Sequence, residues 1–99
     1  MLYAIVALDR PDAAAARVAA RPAHLERVVA LQAQGRVVVA GPMPKVDAPT
    51  TEGGVSGSLL VLEFDSLEAA KAWVAEDPYS KAGVYASVDV RPFLRVFPK

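Results

Sequence analysis

Apolar residues in this chain fall into four short runs, with two longer segments of helical spacing between them. Apolar, β-branched runs bounded by Gly, Pro or Asp are typical of strands. The four predicted strands are Leu2 to Leu8, Arg36 to Ala40, Ser58 to Phe64 and Ala86 to Phe97. One helical segment follows the first strand and the other follows the third, so the predicted order is β-α-β-β-α-β.

The first helical segment contains a proline that predicts a break. Pro22 disfavours helical geometry at Arg21, but it suits the first turn of a new helix. We therefore predict a short helical piece near 12–20 and a firmer helix near 22–34, with Gly35 as its C-terminal cap. The residues predicted to form the buried stripe of the firmer helix are Leu25, Val28, Val29 and Gln32, with Leu31 beside them.

The second helical segment begins at a polar pair with capping-box spacing, Asp65 and Glu68. It is predicted to end by Asp77, because Pro78 follows. The side chains that it is expected to bury are Leu67, Ala70 and Val74. Both helical segments thus present one apolar side, as helices packed on a sheet do.

The element order is that of the ferredoxin-like split βαβ fold, an α+β fold with an antiparallel sheet and helices on one face. We expect a single domain over residues 1–99. In this fold the first and third strands are central and the second and fourth are edges. Pro92 agrees with an edge position for the fourth strand, since it cannot donate a ladder hydrogen bond.

The second and third predicted strands are apolar at odd and even positions alike, which predicts that both faces of the sheet are covered. Two helices on one face leave the other face open. A second copy packed sheet to sheet would cover it, so we expect a homodimer through the open sheet face. The alternative is that the Pro- and Gly-rich segment 42–57 folds back over the sheet.

Composition narrows the function classes. The apolar fraction is 54%, which is high for so small a monomer and agrees with apolar surface buried against a partner. The formal net charge is zero and the chain has no basic stripe, so we expect no nucleic acid partner. The chain has no cysteine and one histidine, so we expect neither a disulfide nor a transition-metal site. The apolar start, residues 1–9, is interpreted as a strand rather than a signal peptide. Apolar runs are too short for a membrane span, and a cytoplasmic protein is expected.

His24 is the leading candidate for proton chemistry, because it is the sole histidine and histidine titrates near neutral pH. It lies twelve residues after Asp12, and Asp77 lies eleven after Ser66. Both positions are therefore about 17–18 Å from their helix starts on parallel helices, a spacing that permits contact. Asp77 would then orient the imidazole. The carboxylates of Asp9, Asp47 and Glu63 are less favoured for this role. The plain alternatives are a surface histidine and a helix-stop aspartate.

Several segments together resemble the YciI-like (YCII-related) family over the whole chain. They are Met1-Leu2-Tyr3, Arg21-Pro22-Ala23-His24-Leu25, Gly35-Arg36 with Ala40-Gly41-Pro42-Met43-Pro44, Phe64 to Ala70, and Asp77-Pro78-Tyr79 with Ala82-Gly83-Val84-Tyr85. The resemblance implies a dimeric α+β barrel with a His–Asp site, here His24 and Asp77. Some relatives are dehydrochlorinases of chlorinated hydroxyquinones, and the wider group includes muconolactone isomerases and cofactor-free monooxygenases.

We therefore hypothesise a dimeric enzyme that uses no metal or organic cofactor and performs a lyase or isomerase step on a small, aromatic-type molecule. Arg21 or backbone amides near Gly41 would hold an anionic oxygen. The pocket would be lined by Pro42, Met43 and Tyr79. The first rival is a non-catalytic dimer that binds a small ligand or serves as an accessory protein. The second rival is a structural partner of another enzyme.

Overall fold

The computed structural model describes all 99 residues and confirms the predicted fold class. Its elements are β1 (Leu2–Asp9), α1 (Ala14–Ala33), β2 (Val37–Pro44), β3 (Val55–Glu63), α2 (Leu67–Ala75), α3 (Pro78–Lys81) and β4 (Tyr85–Phe93). The sheet has the order β2-β3-β1-β4 with antiparallel neighbours throughout. As predicted, the first and third strands are central, and Pro92 lies in an edge strand.

The core lies between the sheet and the helices, and it follows from the two-residue period of the strands. Tyr3 and Ile5 of β1 are buried and pair with Leu62 and Leu60 of β3. On α1 the fully buried residues recur every seven positions, at Arg17, His24 and Leu31. The predicted stripe is therefore misplaced: Leu25, Val29 and Gln32 are exposed. Two of the three buried helix positions are polar, which is why apolar spacing did not reveal this face.

The predicted break at Pro22 is wrong, because α1 is one continuous helix with Pro22 inside it. Proline removes the amide that would donate to the carbonyl of Val18, one turn earlier. Both residues are exposed, so that carbonyl faces water and can accept a hydrogen bond from it. The tertiary contacts of the flanking turns then keep the helix intact.

Two helix ends test the capping predictions. Gly35 is confirmed at the end of α1: its φ is +71°, and Arg36 N donates to Leu31 O at 3.0 Å. The start of α2 is one residue later than predicted, because Ser66, not Asp65, is the cap. Ser66 has extended backbone, and its Oγ accepts from Ala69 N at 3.1 Å.

The β2–β3 hairpin is longer than the sequence predicted. β2 was expected to end at Ala40, yet it continues to Pro44, with Pro42 opposite Ser58. β2 is an edge strand, where a missing amide can face solvent, so its prolines are tolerated. The connection shrinks to residues 45–54, and part of it borders a cavity on the helix side of the sheet. β4, in contrast, ends at Phe93 and is shorter than predicted.

The face of the sheet opposite the helices is open in the single chain. Val39 of β2 is 51% exposed and Leu59 of β3 is 39% exposed. A single copy of the chain therefore leaves this face uncovered, and its cover by a second copy stays a prediction. Val6 and Leu8 of β1 are also exposed, so the open face is apolar across its central strands. None of the helices is long and apolar enough to cross a membrane.

Candidate active site

Asp77 occupies the junction between α2 and the short helix α3, which the sequence analysis did not predict. Its backbone is extended, and Pro78 follows at the first helical position. One carboxylate oxygen of Asp77 accepts from the amide of Tyr79 at 3.0 Å, so Asp77 caps α3. The cap fixes the orientation of the carboxylate, which is 1% exposed.

The predicted contact between His24 and Asp77 is present. His24 Nδ1 lies 3.0 Å from Oδ1 and 2.9 Å from Oδ2 of Asp77. An ionised carboxylate only accepts hydrogen bonds, so Nδ1 carries a proton and donates it. His24 is buried, so it is not a surface histidine. Asp77 does lie just past the end of α2 and caps α3, so its helix-stop role is present beside its contact with His24. A catalytic role for the pair stays a prediction.

The other ring nitrogen of His24 faces the cavity. With the proton on Nδ1, a neutral imidazole leaves an unshared electron pair on Nε2. Every buried side-chain nitrogen or oxygen atom in the structure has a hydrogen-bond partner. Nε2 has no protein partner, so it is accessible from the cavity, which His24 lines. This nitrogen can accept a proton from a bound molecule.

Arg27 also binds Asp77, and the sequence analysis missed it. Its Nη1 donates to Asp77 Oδ1 at 3.2 Å and to the carbonyl of Trp73 at 2.9 Å, and its guanidinium lies over the Trp73 ring. The available signal was spacing, since a residue three positions after His24 shares its helix face. Asp77 thus receives donors from α1 and α3, which hold it rigidly.

A buried ion pair lies beside the dyad formed by His24 and Asp77. Arg17 donates to the two carboxylate oxygens of Asp9 at 2.7 and 2.8 Å and to Ser58 Oγ at 2.9 Å. Burial lowers the pKa of Arg17, but the hydrogen bond and charge of Asp9 outweigh it and the pKa is raised. Asp9 therefore pairs with Arg17 and not with His24. Arg17 lies two helical turns before His24 on the same face of α1, but the predicted break at Pro22 separated the two residues, and an arginine is usually expected at the surface.

Two tyrosines complete the wall around the ion pair. Burial raises the pKa of Tyr79, against the nearby charge of Arg17, which lowers it. Burial also raises the pKa of Tyr85, against a hydrogen bond with Ser58, which lowers it. Their rings meet edge to face at 5.8 Å. Both hydroxyls therefore stay protonated at neutral pH and can donate hydrogen bonds.

The cavity has a volume of about 470 Å³, a size typical of small-molecule sites. Four predicted pocket residues line it, namely Arg21, Gly41, Pro42 and Tyr79. Met43 does not, because it follows Pro42 in β2 and successive side chains point to opposite faces. Binding roles for these residues stay predictions. No group of three or more His, Cys, Asp or Glu side chains is placed to hold a metal ion.

Comparisons with known proteins agree with this architecture. The family model of the YCII-related domain matches residues 1–94. Protein YciI of Escherichia coli O6:H1 is 50% identical, covering 98% of this chain and 100% of its own, and a Haemophilus influenzae protein is 47% identical over the same shares.

A solved structure is also similar: the 5-chloro-2-hydroxyhydroquinone dehydrochlorinase TftG of Burkholderia phenoliruptrix AC1100, in complex with 2,5-dihydroxybenzoquinone. It has a TM-score of 0.86 and 31% identity, covering 95% of this chain and 94% of that chain. The identity and the coverage extend the agreement from the fold to the sequence. The chain therefore belongs to the YCII-related domain family.

Proposed function

We propose that this protein is an enzyme in which His24 is the general acid/base and Asp77 orients it. The observation that carries the proposal is the geometry of the imidazole. Nδ1 is held by both oxygens of Asp77 while Nε2 is open to a cavity of small-molecule size. The proposed step is a lyase or isomerase reaction of a small ring compound, with dehydrochlorination as the leading version.

In dehydrochlorination the substrate loses hydrogen chloride. His24 would first move the proton of one ring hydroxyl to the chlorine-bearing carbon, so that this oxygen becomes a carbonyl and the carbon becomes tetrahedral. Nε2 would then take the proton of a second ring hydroxyl. The second oxygen becomes a carbonyl, a ring double bond forms to the tetrahedral carbon, and the electron pair of the C–Cl bond leaves with chloride. Asp77 would stabilise the imidazolium that forms, and Arg21 or amides near Gly41 would hold the anionic oxygen. Support comes from TftG, which is similar over nearly the whole chain and whose substrate is a chlorinated hydroxyhydroquinone.

The direct test is chloride release from 5-chloro-2-hydroxyhydroquinone by the purified protein and by His24→Gln. We expect His24→Gln to lose at least about a hundredfold in kcat, as expected for a general base. Gln32→Ala, an exposed change on the same helix, is the control and should keep full activity. An active His24→Gln would overturn the proposal. A wild-type protein that binds the quinol but releases no chloride would favour the non-catalytic binding function.

The proposed functional unit is a homodimer joined through the open sheet face. The apolar residues exposed there lie on both central strands and on β2. Sheet-to-sheet packing would remove this area from water, which is the main favourable contribution to such an association. The cytoplasmic location inferred from the sequence stays a prediction.

A further inference from the structure

Charge is distributed unevenly between the cavity and the rest of the chain. The protein has eleven Lys and Arg and eleven Asp and Glu, and a formal net charge of zero. Four of the cations line the cavity, but Asp9 is the single carboxylate there. The cations are Arg10, Arg17, Arg21 and Lys45. The cavity is therefore strongly electropositive in a neutral protein.

Internal pairing uses only part of this charge. Asp9 is bound by Arg17 through two hydrogen bonds, so these two groups neutralise each other. Every other ion pair of the protein involves cations outside the cavity or His24. Arg10, Arg21 and Lys45 are left without a carboxylate partner, and of these Arg10 donates to the carbonyl of Tyr85 at 3.4 Å. Cations that face a concave site without partners favour an anionic ligand there.

The fold places Lys45 at the cavity through the hairpin. Its amide donates to the carbonyl of Gly54 at 3.0 Å, which closes the β2–β3 connection. Its side chain then lies along Gly54, where an added Cβ would be 3.1 Å from Lys45 Cδ. Gly54, with a φ of +100°, therefore leaves space for the lysine stem. The proposed proton transfer makes no use of Lys45.

Arg21 reaches the cavity from the other side. It lies one turn before His24 on α1, so both residues line the same cavity. Apolar side chains of α1 and of the sheet also line the cavity, and they include Leu25, Val28, Ala40, Val55 and Leu60. An apolar wall lowers the local dielectric and strengthens the attraction of each cation for an anion.

We propose that the natural ligand carries a permanent carboxylate besides its ring, and that Arg21 and Lys45 bind this carboxylate. Of the two alternatives given above for the anionic ring oxygen, this leaves the amides near Gly41. The ligand class is thus a small hydroxylated ring carboxylate. The inference rests on the proposed function for the location of the site. It does not require that His24 be catalytic, because charge selectivity is a property of binding.

Two probes of matched shape test this selectivity, 2,5-dihydroxybenzoate and the neutral 2,5-dihydroxybenzamide. Binding is followed at low salt through the ring signals of His24 and the backbone amide signals. We expect the carboxylate to bind at least about tenfold more tightly, as for one charge-assisted hydrogen bond. Lys45→Gln and Arg21→Gln should each remove most of this preference, and added salt should weaken it. Lys71→Gln, a change at an exposed lysine outside the cavity, should preserve it.

The inference is overturned if the amide binds as tightly as the carboxylate, if neither probe binds, or if the preference survives in both variants. A wild-type protein that prefers the carboxylate but releases no chloride supports the carboxylate site while the proposed catalytic function fails. A wild-type protein that releases chloride but shows no preference overturns the carboxylate site and leaves the catalytic function standing. The preference should also persist in His24→Gln, because it does not depend on catalysis.

Discussion

The ring of Tyr79 is stacked on the imidazole of His24, with centroids 4.1 Å apart and planes inclined by 22°. The guanidinium of Arg17 lies 4.5 Å from the centroid of the same tyrosine ring. The backbone amide of Tyr79 also donates a hydrogen bond to Oδ2 of Asp77. One residue therefore contacts both members of the dyad, and the imidazole cannot rotate without displacing a buried tyrosine.

The first prediction concerns the tautomer of His24. Asp77→Asn should remove the preference for a proton on Nδ1, because an amide can turn its NH₂ group toward the ring. The measurement is the long-range ¹H–¹⁵N spectrum of the imidazole, which is unambiguous in a protein with one histidine. Asp65→Asn, at an exposed position, is the control. An unchanged tautomer in Asp77→Asn would show that the carboxylate does not determine it.

The second prediction concerns the buried ion pair. The side chains of Arg17 and Asp9 are 10% and 5% exposed, whereas those of Arg91 and Asp89 are 76% and 57% exposed. Asp9→Asn should lower the free energy of unfolding by about 3–5 kcal/mol, because it leaves a buried cation without its partner. Asp89→Asn should cause no measurable change. Urea unfolding measures the free energy of unfolding of both variants, and equal losses in the two would contradict the prediction.

A double variant separates charge from packing at the same site. Asp9→Asn combined with Arg17→Met removes both charges and keeps much of the side-chain volume. It should be more stable than Asp9→Asn alone, since no unpaired charge remains buried. If it is less stable, packing of the guanidinium against Tyr79 contributes more than the ion pair does.

The third prediction concerns alkaline pH. Burial raises the pKa of Tyr85 and of Tyr79 above the unfolded value of about 10. Between the unfolded and folded values the unfolded chain binds fewer protons, so the free energy of unfolding falls as pH rises. Stability from these tyrosines is thus fully present below about pH 10 and lost above it. Tyr85→Phe should flatten this fall in denaturant titrations, and an unchanged slope would count against it.

The fourth prediction concerns oligomeric state. Leu59→Asp places a charge at the centre of the open sheet face, so it should convert the proposed dimer into a monomer. Light scattering coupled to size exclusion gives the mass directly. Val29→Asp, at an exposed apolar position on α1, should leave the dimer intact. A wild-type monomer would refute the proposed sheet-to-sheet association, and aggregation of the wild type would favour the structural-partner alternative.

The pairing of His24 with Asp77 shows what spacing can predict. Helix rise and the parallel course of the helices placed both residues at similar depth, which permitted a contact, and the family resemblance implied a His–Asp site at these two positions. The sequence did not predict that His24 and Asp77 are buried, nor which groups donate hydrogen bonds to Asp77, because both depend on α3. That short helix begins at Pro78, which the sequence analysis interpreted only as a helix stop.

The strand order and the central position of the first and third strands follow from the sequence alone, since element order and apolar runs permit few sheet arrangements. The sequence also determined the end of α1 at Gly35, because a left-handed backbone there favours glycine. Tertiary structure alone decided the continuity of α1 through Pro22 and the burial of Arg17. Packing of α1 against the sheet offsets the hydrogen bond lost at Pro22, and Asp9 and Ser58 offset the cost of burying the charge of Arg17. Local helix propensity includes neither contribution, because both depend on residues outside the helix.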